Sequence, residues 1–347
     1  MSANSLGQRW TVTTFGESHG VALGAIIDGC PAGVSFDYQL LQRELDRRKP
    51  GGNNKSSEGV VSARQESDKV EVLSGVYNGR TLGTPIAMIV KNHDQRSNDY
   101  NNIQNKSRVG HADDLWKSKY SHVDHRGGGR SSGRETVSRV MAGAVAQMFV
   151  RELYPACEVL GFSCQIGGIE LSIEDYKNIE SGVFIPDDFS ARFPSANNQQ
   201  VRDLLSNAKV EGHSYGGLAE IWVKNIPKNL GQPVFHKFKS DLAMSYMSVG
   251  ATTGIEIGLG FQSIQAEGSH FHSPNSSAAK YGGIRGGITT GELVISRVAF
   301  KPTSTVLDEA KKGRHDPCIV TRAIPVLEAM TWNLIAEHIL WSRQDSL

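Results

Sequence analysis

The chain has 347 residues, of which 39% are hydrophobic and 21% are charged, so it can bury a sizeable core. Its 37 Lys and Arg nearly balance its 36 Asp and Glu, and the net charge of +1 argues against a general nucleic-acid-binding surface. No apolar run reaches the length of a membrane-spanning helix, and the N-terminus lacks the basic start and apolar stretch of a secretory signal.

The four cysteines, Cys30, Cys157, Cys164 and Cys318, include no C-x-x-C pair. Their spacing predicts neither a zinc site nor a disulfide framework, and we expect no metal. A reduced, cytoplasmic setting is the resulting expectation.

Short apolar runs and turn residues alternate in the first part of the chain. Strands are predicted at Trp10–Phe15 and Val21–Ile27, on either side of the turn Gly16–Gly20. Asp37 is predicted to cap a helix that ends before Pro50. Residues 51–64 are rich in Gly, Asn and Ser and are predicted to form a loop.

Two further strands and a long helix follow. The strands Val70–Tyr77 and Ile86–Val90 are predicted to form a hairpin through the Asn78-Gly79 turn. After a polar tract from Lys91 to Arg130, apolar residues at helical spacing predict a helix from Arg134 to Glu152.

The rest of the chain also mixes strands and helices. The predictions are a strand Val159–Leu171, a polar loop 173–198, a helix near 200–208, a strand Ala219–Asn225, a helix near 237–248, strands Gly254–Phe261 and Glu292–Phe300 around a loop 262–290, and a helix Ile319–Trp341 that Pro325 would kink. This pattern favours one α+β domain over residues 1–347, with a division near residue 210 as the alternative.

The run H-R-G-G-G-R-S-S-G-R-E-T, from His125 to Thr136, is the most informative segment. Three successive glycines let backbone amides approach an anion, and Ser132 and Glu135 have the spacing of a capping box at a helix start. Arg126, Arg130 and Arg134 would then surround the positive end of the helix dipole. We favour an anion site over a Gly-rich turn with solvated arginines.

Common nucleotide-binding signatures are absent from the sequence. The run Gly52-Asn-Asn-Lys55-Ser56 lacks the spacing of a phosphate loop, and no G-x-G-x-x-G follows a predicted strand. A phosphorylated ligand would therefore bind through another architecture.

Two histidines lie in tight, polar contexts that suit proton transfer. His19 lies in G-E-S-H-G and His111 in G-H-A-D-D. Among 11 histidines, a catalytic and a structural role are equally compatible with each position. Metal binding fits worse, because the pairs His122/His125 and His270/His272 lack a third ligand at a typical spacing.

Two basic segments near the C-terminal part suit phosphate-sized ligands. K-P-T-S-T (Lys301–Thr305) follows a predicted strand, and G-R-H-D-P-C (Gly313–Cys318) precedes the last helix. A plain turn and a helix start capped by Asp316 explain the same residues equally well.

Taken together, these segments resemble the chorismate synthase family along nearly the whole chain. F-G-E-S-H-G-V-A-L-G-A-I-I-D-G-C-P (Phe15–Pro31), V-G-H-A-D (Val109–Asp113), R-G-G-G-R-S-S-G-R-E-T (Arg126–Thr136) and the two C-terminal segments are similar to the family's signatures, in the family's order. Five separate matches in order make chance an inadequate explanation.

The resemblance implies a β-α-β sandwich and a lyase reaction of aromatic amino acid biosynthesis. The reaction is the anti-1,4-elimination of phosphate from 5-O-(1-carboxyvinyl)-3-phosphoshikimate, giving chorismate, with reduced FMN and no net redox change. A homotetramer, NADP or NADPH use and an external flavin reductase are further implied expectations. A non-catalytic phosphoanion- or nucleic-acid-binding protein and a flavin oxidoreductase are the alternatives.

The resemblance also implies roles for individual residues. His19 would protonate the departing phosphate, His111 would hold a proton near flavin N1, and Asp316 would help flavin N5 act as a base, with Ser18 and Ser132 beside that relay. The implied FMN contacts are Arg130, Ser131, Ser132, Gly250, Ala251, Gly286, Lys301, Pro302, Thr303, Ser304, Thr305 and Arg314.

The resemblance also implies that three basic residues bind the substrate or NADP, namely Arg48, Arg134 and Lys55. The chain departs from the family pattern where Lys55 replaces an arginine, where Gly250 replaces a frequent asparagine, and where segment 51–64 is longer and segment 306–313 shorter.

Overall fold

The computed structural model describes residues 3–49, 55–57, 68–92, 110–124, 126–273, 278–307 and 316–345. Strands in the first part are β1 (Ser5–Leu6), β2 (Thr11–Phe15), β3 (Ala22–Asp28), β4 (Val70–Val72), β5 (Val76–Tyr77), β6 (Arg80–Thr81) and β7 (Ile86–Lys91). Five of them form an antiparallel sheet in the order β1-β2-β3-β7-β4, and β5 and β6 form a separate hairpin.

A second antiparallel sheet is built from later strands. The strands are β8 (Glu158–Ile166), β9 (Ile169–Glu170), β10 (Gly217–Lys224), β11 (Thr252–Ile257), β12 (Ile284–Arg285), β13 (Ile288–Thr289) and β14 (Val294–Phe300). The sheet has the order β11-β14-β10-β8-β9, and β12 and β13 form a small hairpin.

Two of the helices lie between the two sheets. The helices in the described ranges are α1 (Tyr38–Arg48), α2 (Asp113–Tyr120), α3 (Thr136–Leu153), α4 (Ile173–Glu180), α5 (Asn198–Glu211), α6 (Phe238–Met247), α7 (Gly268–Phe271) and α8 (Val320–Ser342). Helix α3 packs on β2 and β3, α8 packs on β8 and β10, and α1 contacts both helices. The predicted α+β class and β-α-β sandwich are confirmed.

The two central helices approach each other closely. A Cβ at Gly143 of α3 would lie 2.4 Å from the Cα of Ala329 in α8, so only glycine fits at this crossing. Almost every residue of α8 from Val320 to Ile339 is buried. The two sheets therefore share one connected apolar core, which extends from Trp10 to Ile339.

Buried polar residues fix the position of α8. The carboxylate of Glu337 accepts hydrogen bonds from the backbone N–H groups of Gln8, Arg9 and Trp10 at 2.6–2.8 Å. Asn333 accepts one from the indole of Trp10 at 3.0 Å. The N-terminal segment is thereby bound to the last helix.

An ion-pair network connects α1 to α8. Arg47 contacts Glu328 and Asp187 at 2.7 Å, and Arg192 contacts Asp187 at 2.6 Å. Burial raises the pKa of Asp187, but the charges of Arg192 and Arg47 outweigh it and bring that pKa down to about 2. Burial lowers the pKa of Arg47, yet the charges of Glu328 and its other carboxylate neighbours raise it well above its ordinary value.

Several predicted elements need correction at glycines and in polar tracts. The strand predicted at Val70–Tyr77 is divided between β4 and β5 at Gly75, and Asn78-Gly79 joins β5 to the unpredicted β6. Gly167, whose φ is +58°, likewise ends β8 before β9. The predicted loops contain α4 and, within 262–290, α7, β12 and β13.

Other predictions agree with the structure to within a few residues. The Asp37 carboxylate caps α1 by accepting from Gln39 N and Leu40 N. Pro325 lies inside α8, which continues past it. Most of the 51–64 loop lies outside the described residues. None of the described helices is long and apolar enough to cross a membrane.

Candidate active site

The turn that carries His19 packs against the triple-glycine segment. Ser18 N donates to Gly129 O at 3.4 Å, and Ser18 Oγ donates to Arg126 O at 3.3 Å. Gly129 has a φ of +52°, which brings its carbonyl toward the turn at little steric cost. Two signatures that are more than 100 residues apart are thus brought into direct contact.

Arginines of this segment are held by neighbouring backbone and side-chain oxygens. Arg130 donates to Thr14 Oγ1 at 2.7 Å and to Gly16 O at 3.2 Å, which places it at the end of β2 beside the His19 turn. Arg126 pairs with Asp124 at 2.8 Å, and this hydrogen bond and charge raise the pKa of Arg126. The alternative of solvated arginines does not describe Arg130, which is held by protein oxygens, whereas the Arg126 side chain is 43% exposed beside Asp124.

The predicted capping box is half right. Ser132 Oγ accepts from Arg134 N at 3.3 Å, as an N-cap does. Glu135 does not complete the box, because its carboxylate binds Arg139 at 3.1 Å one turn later. Glu135 thus makes a charge-assisted hydrogen bond to the Arg139 guanidinium instead of the weaker hydrogen bond to the backbone N–H of Ser132.

Arg48 and Arg134 share one buried carboxylate. Asp68 is 0% exposed; its Oδ2 accepts from Arg48 Nη2 at 2.7 Å, and its Oδ1 accepts from Arg134 Nη1. Asp68 therefore holds two guanidinium groups together beside the start of α3. The sequence analysis missed Asp68, since no motif surrounds it.

A second cluster forms around Lys301. Lys301 N donates to Ala251 O at 3.0 Å, and Lys301 Nζ donates to Gly110 O at 3.1 Å, next to His111. A Cβ at Gly110 would lie 3.6 Å from Ser304 Cβ. Three predicted segments, 110–111, 250–251 and 301–304, therefore meet here.

Asp316 lies at the edge of this second cluster. Its backbone carbonyl accepts from Thr303 Oγ1 at 3.0 Å, and its carboxylate accepts from Arg322 at 2.7 Å. The suggested capping role is wrong, because α8 has Ile319 at its N-cap and no side-chain cap.

Arg139 connects the two clusters. Besides binding Glu135, it donates to Ser248 Oγ at 2.6 Å and to Ser248 O at 3.0 Å. Ser248 ends α6 two residues before Gly250, so the start of α3 is tied to the segment that meets Lys301.

Comparisons with known proteins identify the family of the chain. A family model described as chorismate synthase matches residues 10–340. A curated chorismate synthase from Bdellovibrio bacteriovorus is 59% identical over 347 residues, covering 100% of both chains. A crystal structure of chorismate synthase superposes with a TM-score of 0.76 at 29% identity, covering 97% of this chain and 93% of that one.

The chain belongs to the chorismate synthase family. Its function is therefore the formation of chorismate, and it is a lyase of the shikimate pathway.

Not every residue matched to the family lies in the two clusters. Lys55 is an exposed residue whose ammonium lies 3.4 Å from Asp188. Gly286 is at the tip of the β12–β13 hairpin, beside the first residue of α6, whereas Gly250 and Ala251 follow the other end of α6. Since ten residues of helix span about 15 Å, a ligand that contacts both must extend along α6.

The remaining matched residues belong to the same segments. Ser131 Oγ donates to Gly128 O at 2.7 Å within the triple-glycine segment. Pro302 and Thr305 flank the residues that contact the 110–111 loop and Asp316. Arg314 and His125 lie outside the described residues.

Proposed function

We propose that this chain forms chorismate by anti-1,4-elimination of phosphate from 5-O-(1-carboxyvinyl)-3-phosphoshikimate, with reduced FMN bound in the same site. The observation that carries this proposal is the arginine pair on Asp68 beside the His19 turn. Two guanidinium groups suit a phosphorylated, carboxylated ring, and the imidazole carried by the adjoining turn suits protonation of the leaving phosphate.

The residues near Lys301 fit a flavin phosphate and ring. A Cβ at Gly250 or at Gly286 would meet nothing within 4 Å, so a ligand can approach the backbone at both positions. Lys301, Thr303, Ser304 and Thr305 offer a cation and hydroxyl donors. When bound, reduced FMN supplies the electron-rich ring that assists cleavage of a poorly acidic C–H bond.

Each protein group then has a separate task. Arg48 and Arg134 hold the anionic substrate, and His19 donates the proton that the departing phosphate takes up. His111 would hold a proton close to a bound flavin, and Asp316 with Ser18 and Ser132 would stabilise the group that accepts the substrate proton. The substrate loses one proton and one phosphate, so no net oxidation occurs.

The proposal extends to the assembly and to the source of reduced flavin. We propose a cytoplasmic homotetramer that obtains reduced flavin from an external reductase or from NADPH. Phe15 and Ile26, on the face of β2 and β3 turned away from the helices, are 37% and 39% exposed in a single chain, which suits burial against another copy. Light scattering at several concentrations measures the assembly.

An anaerobic assay with photoreduced FMN tests the reaction. The chain, reduced FMN and the phosphorylated enolpyruvyl substrate should yield phosphate and chorismate in equal amounts, with the flavin still reduced afterwards. Stoichiometric oxidation of the flavin would instead identify an oxidoreductase. Absence of both products would refute the proposal.

A further inference from the structure

Asn92, the residue that follows β7, lies between the His19 turn and Arg134. Its backbone N–H donates to Val21 O at 3.1 Å, which fixes its main chain beside the turn. Its side-chain amide forms hydrogen bonds both to Arg134 and to the His19 turn. No sequence motif used above includes this residue.

The Asn92 amide uses both of its functional groups. The carbonyl oxygen accepts from Arg134 Nε at 3.3 Å and from Arg134 Nη2 at 3.2 Å. The NH₂ group donates to Gly20 O at 2.9 Å and to Ser18 O at 3.3 Å, the carbonyls on either side of His19. One amide therefore joins the guanidinium to the two residues that flank the imidazole.

We propose that Asn92 is a positioning residue that fixes the His19 turn relative to Arg134. The inference rests on the proposed function, in which Arg134 holds the substrate and His19 protonates its phosphate. Asn92 is not assigned any contact with the substrate. Its role is to hold the His19 imidazole and the Arg134 guanidinium at a fixed distance from each other. This distance matters because misplacement by about 1 Å can slow a reaction about 100-fold.

The chemistry of the position requires an amide. An aspartate would keep the two acceptor bonds to Arg134 but would place a carboxylate against the carbonyls of Ser18 and Gly20. An alanine would lose both sides of the link. Asp68 holds the opposite edge of the Arg134 guanidinium, so Arg134 keeps one anchor when Asn92 is changed.

Hydrogen exchange measures the link without any catalysis. Asn92→Ala and Asn92→Asp should both speed amide exchange in residues 17–21. Arg134→Ala should do the same, because Asn92 then loses the partner that orients it. Arg139→Ala is the matched control: it changes another arginine of the same helix, which binds Glu135 and Ser248, and should leave residues 17–21 unchanged.

A double-mutant cycle tests the kinetic role. Asn92→Ala should lower kcat about 10–100-fold in the parent chain and by less than about twofold in the His19→Ala background, where no imidazole remains to be positioned. Equal losses in both backgrounds would show a merely structural role and overturn the proposal.

The two experiments separate the possible failures. If the parent chain makes no chorismate, the proposed function fails, and the exchange data still decide whether Asn92 links the turn to Arg134. If Arg134→Ala leaves exchange in residues 17–21 unchanged, the link is refuted even in a fully active enzyme.

Discussion

Asp68→Asn removes the charge that Arg48 and Arg134 share. Asp68 is 0% exposed and Arg48 is 1% exposed, so water cannot replace the lost interaction. The asparagine retains one acceptor oxygen but removes the negative charge that both guanidinium groups contact. Breaking a buried ion pair by changing one partner costs about 3–5 kcal/mol.

The expected change in melting temperature follows from the size of the chain. With about 2.1 cal/mol/K of unfolding entropy per residue, 347 residues give about 0.7 kcal/mol/K, so Tm should fall by about 4–7 °C. Thermal denaturation followed by circular dichroism measures this shift. Inorganic phosphate should also restore part of the lost stability in Asp68→Asn, because an anion can take the place of the carboxylate.

A surface carboxylate provides the matched control. Asp188 lies 3.4 Å from Lys55, with side chains 54% and 71% exposed, so Asp188→Asn should cost no more than about 1 kcal/mol. If Asp68→Asn loses no more stability than Asp188→Asn, or if phosphate fails to stabilise it, the shared-carboxylate interpretation is wrong.

Three further predictions concern the two histidines, Asp187 and two buried cysteines. His19→Ala and His111→Ala should each keep the fold and slow chorismate formation about 10²–10⁴-fold, measured anaerobically; parent-like rates would remove their roles. The pKa of Asp187 is lowered to about 2, so its ion pairs contribute stability above about pH 4 that is lost as the pH falls through 2. In Asp187→Asn, the free energy of unfolding measured with urea should therefore depend less on pH across that range. An equal pH dependence in both chains would contradict this. Burial raises the pKa of Cys164 and Cys318 to about 12, so iodoacetamide should modify them slowly at about pH 8 until the chain unfolds; rapid modification of the folded chain would contradict this.

Regular periodicity made the larger elements predictable from the sequence. Helix α3 repeats apolar residues at helical spacing, and α1 begins at a capping aspartate that the structure confirms. Glycines inside apolar runs were harder to interpret, because Gly75 lies in the break between β4 and β5 and Gly167 follows the end of β8, where composition alone would continue each strand. Helix α4 was missed in a polar tract, although Ser172 and Asp175 form a complete capping box there.

The sequence motifs could not identify contacts between residues that are distant in the sequence. Asp68 and Asn92 lie 66 and 42 residues from Arg134 and reach it through the pairing of β4 and β3 with β7. Short motifs record residues that are close along the chain, whereas these contacts depend on sheet register. The signatures located the loops that are proposed to bind ligands, and the structure supplied the residues that hold those loops together.

Helix α8 comes after all fourteen described strands in the chain, yet it occupies the middle of the sandwich. During synthesis, β8 and β10 leave the ribosome before α8, the helix that packs on them, has been made. The apolar face of the second sheet that α8 covers therefore stays open to solvent until residues 320–342 have been made. Efficient maturation of this enzyme depends on how fast α8 docks on that face, a step that chaperones can assist by shielding it.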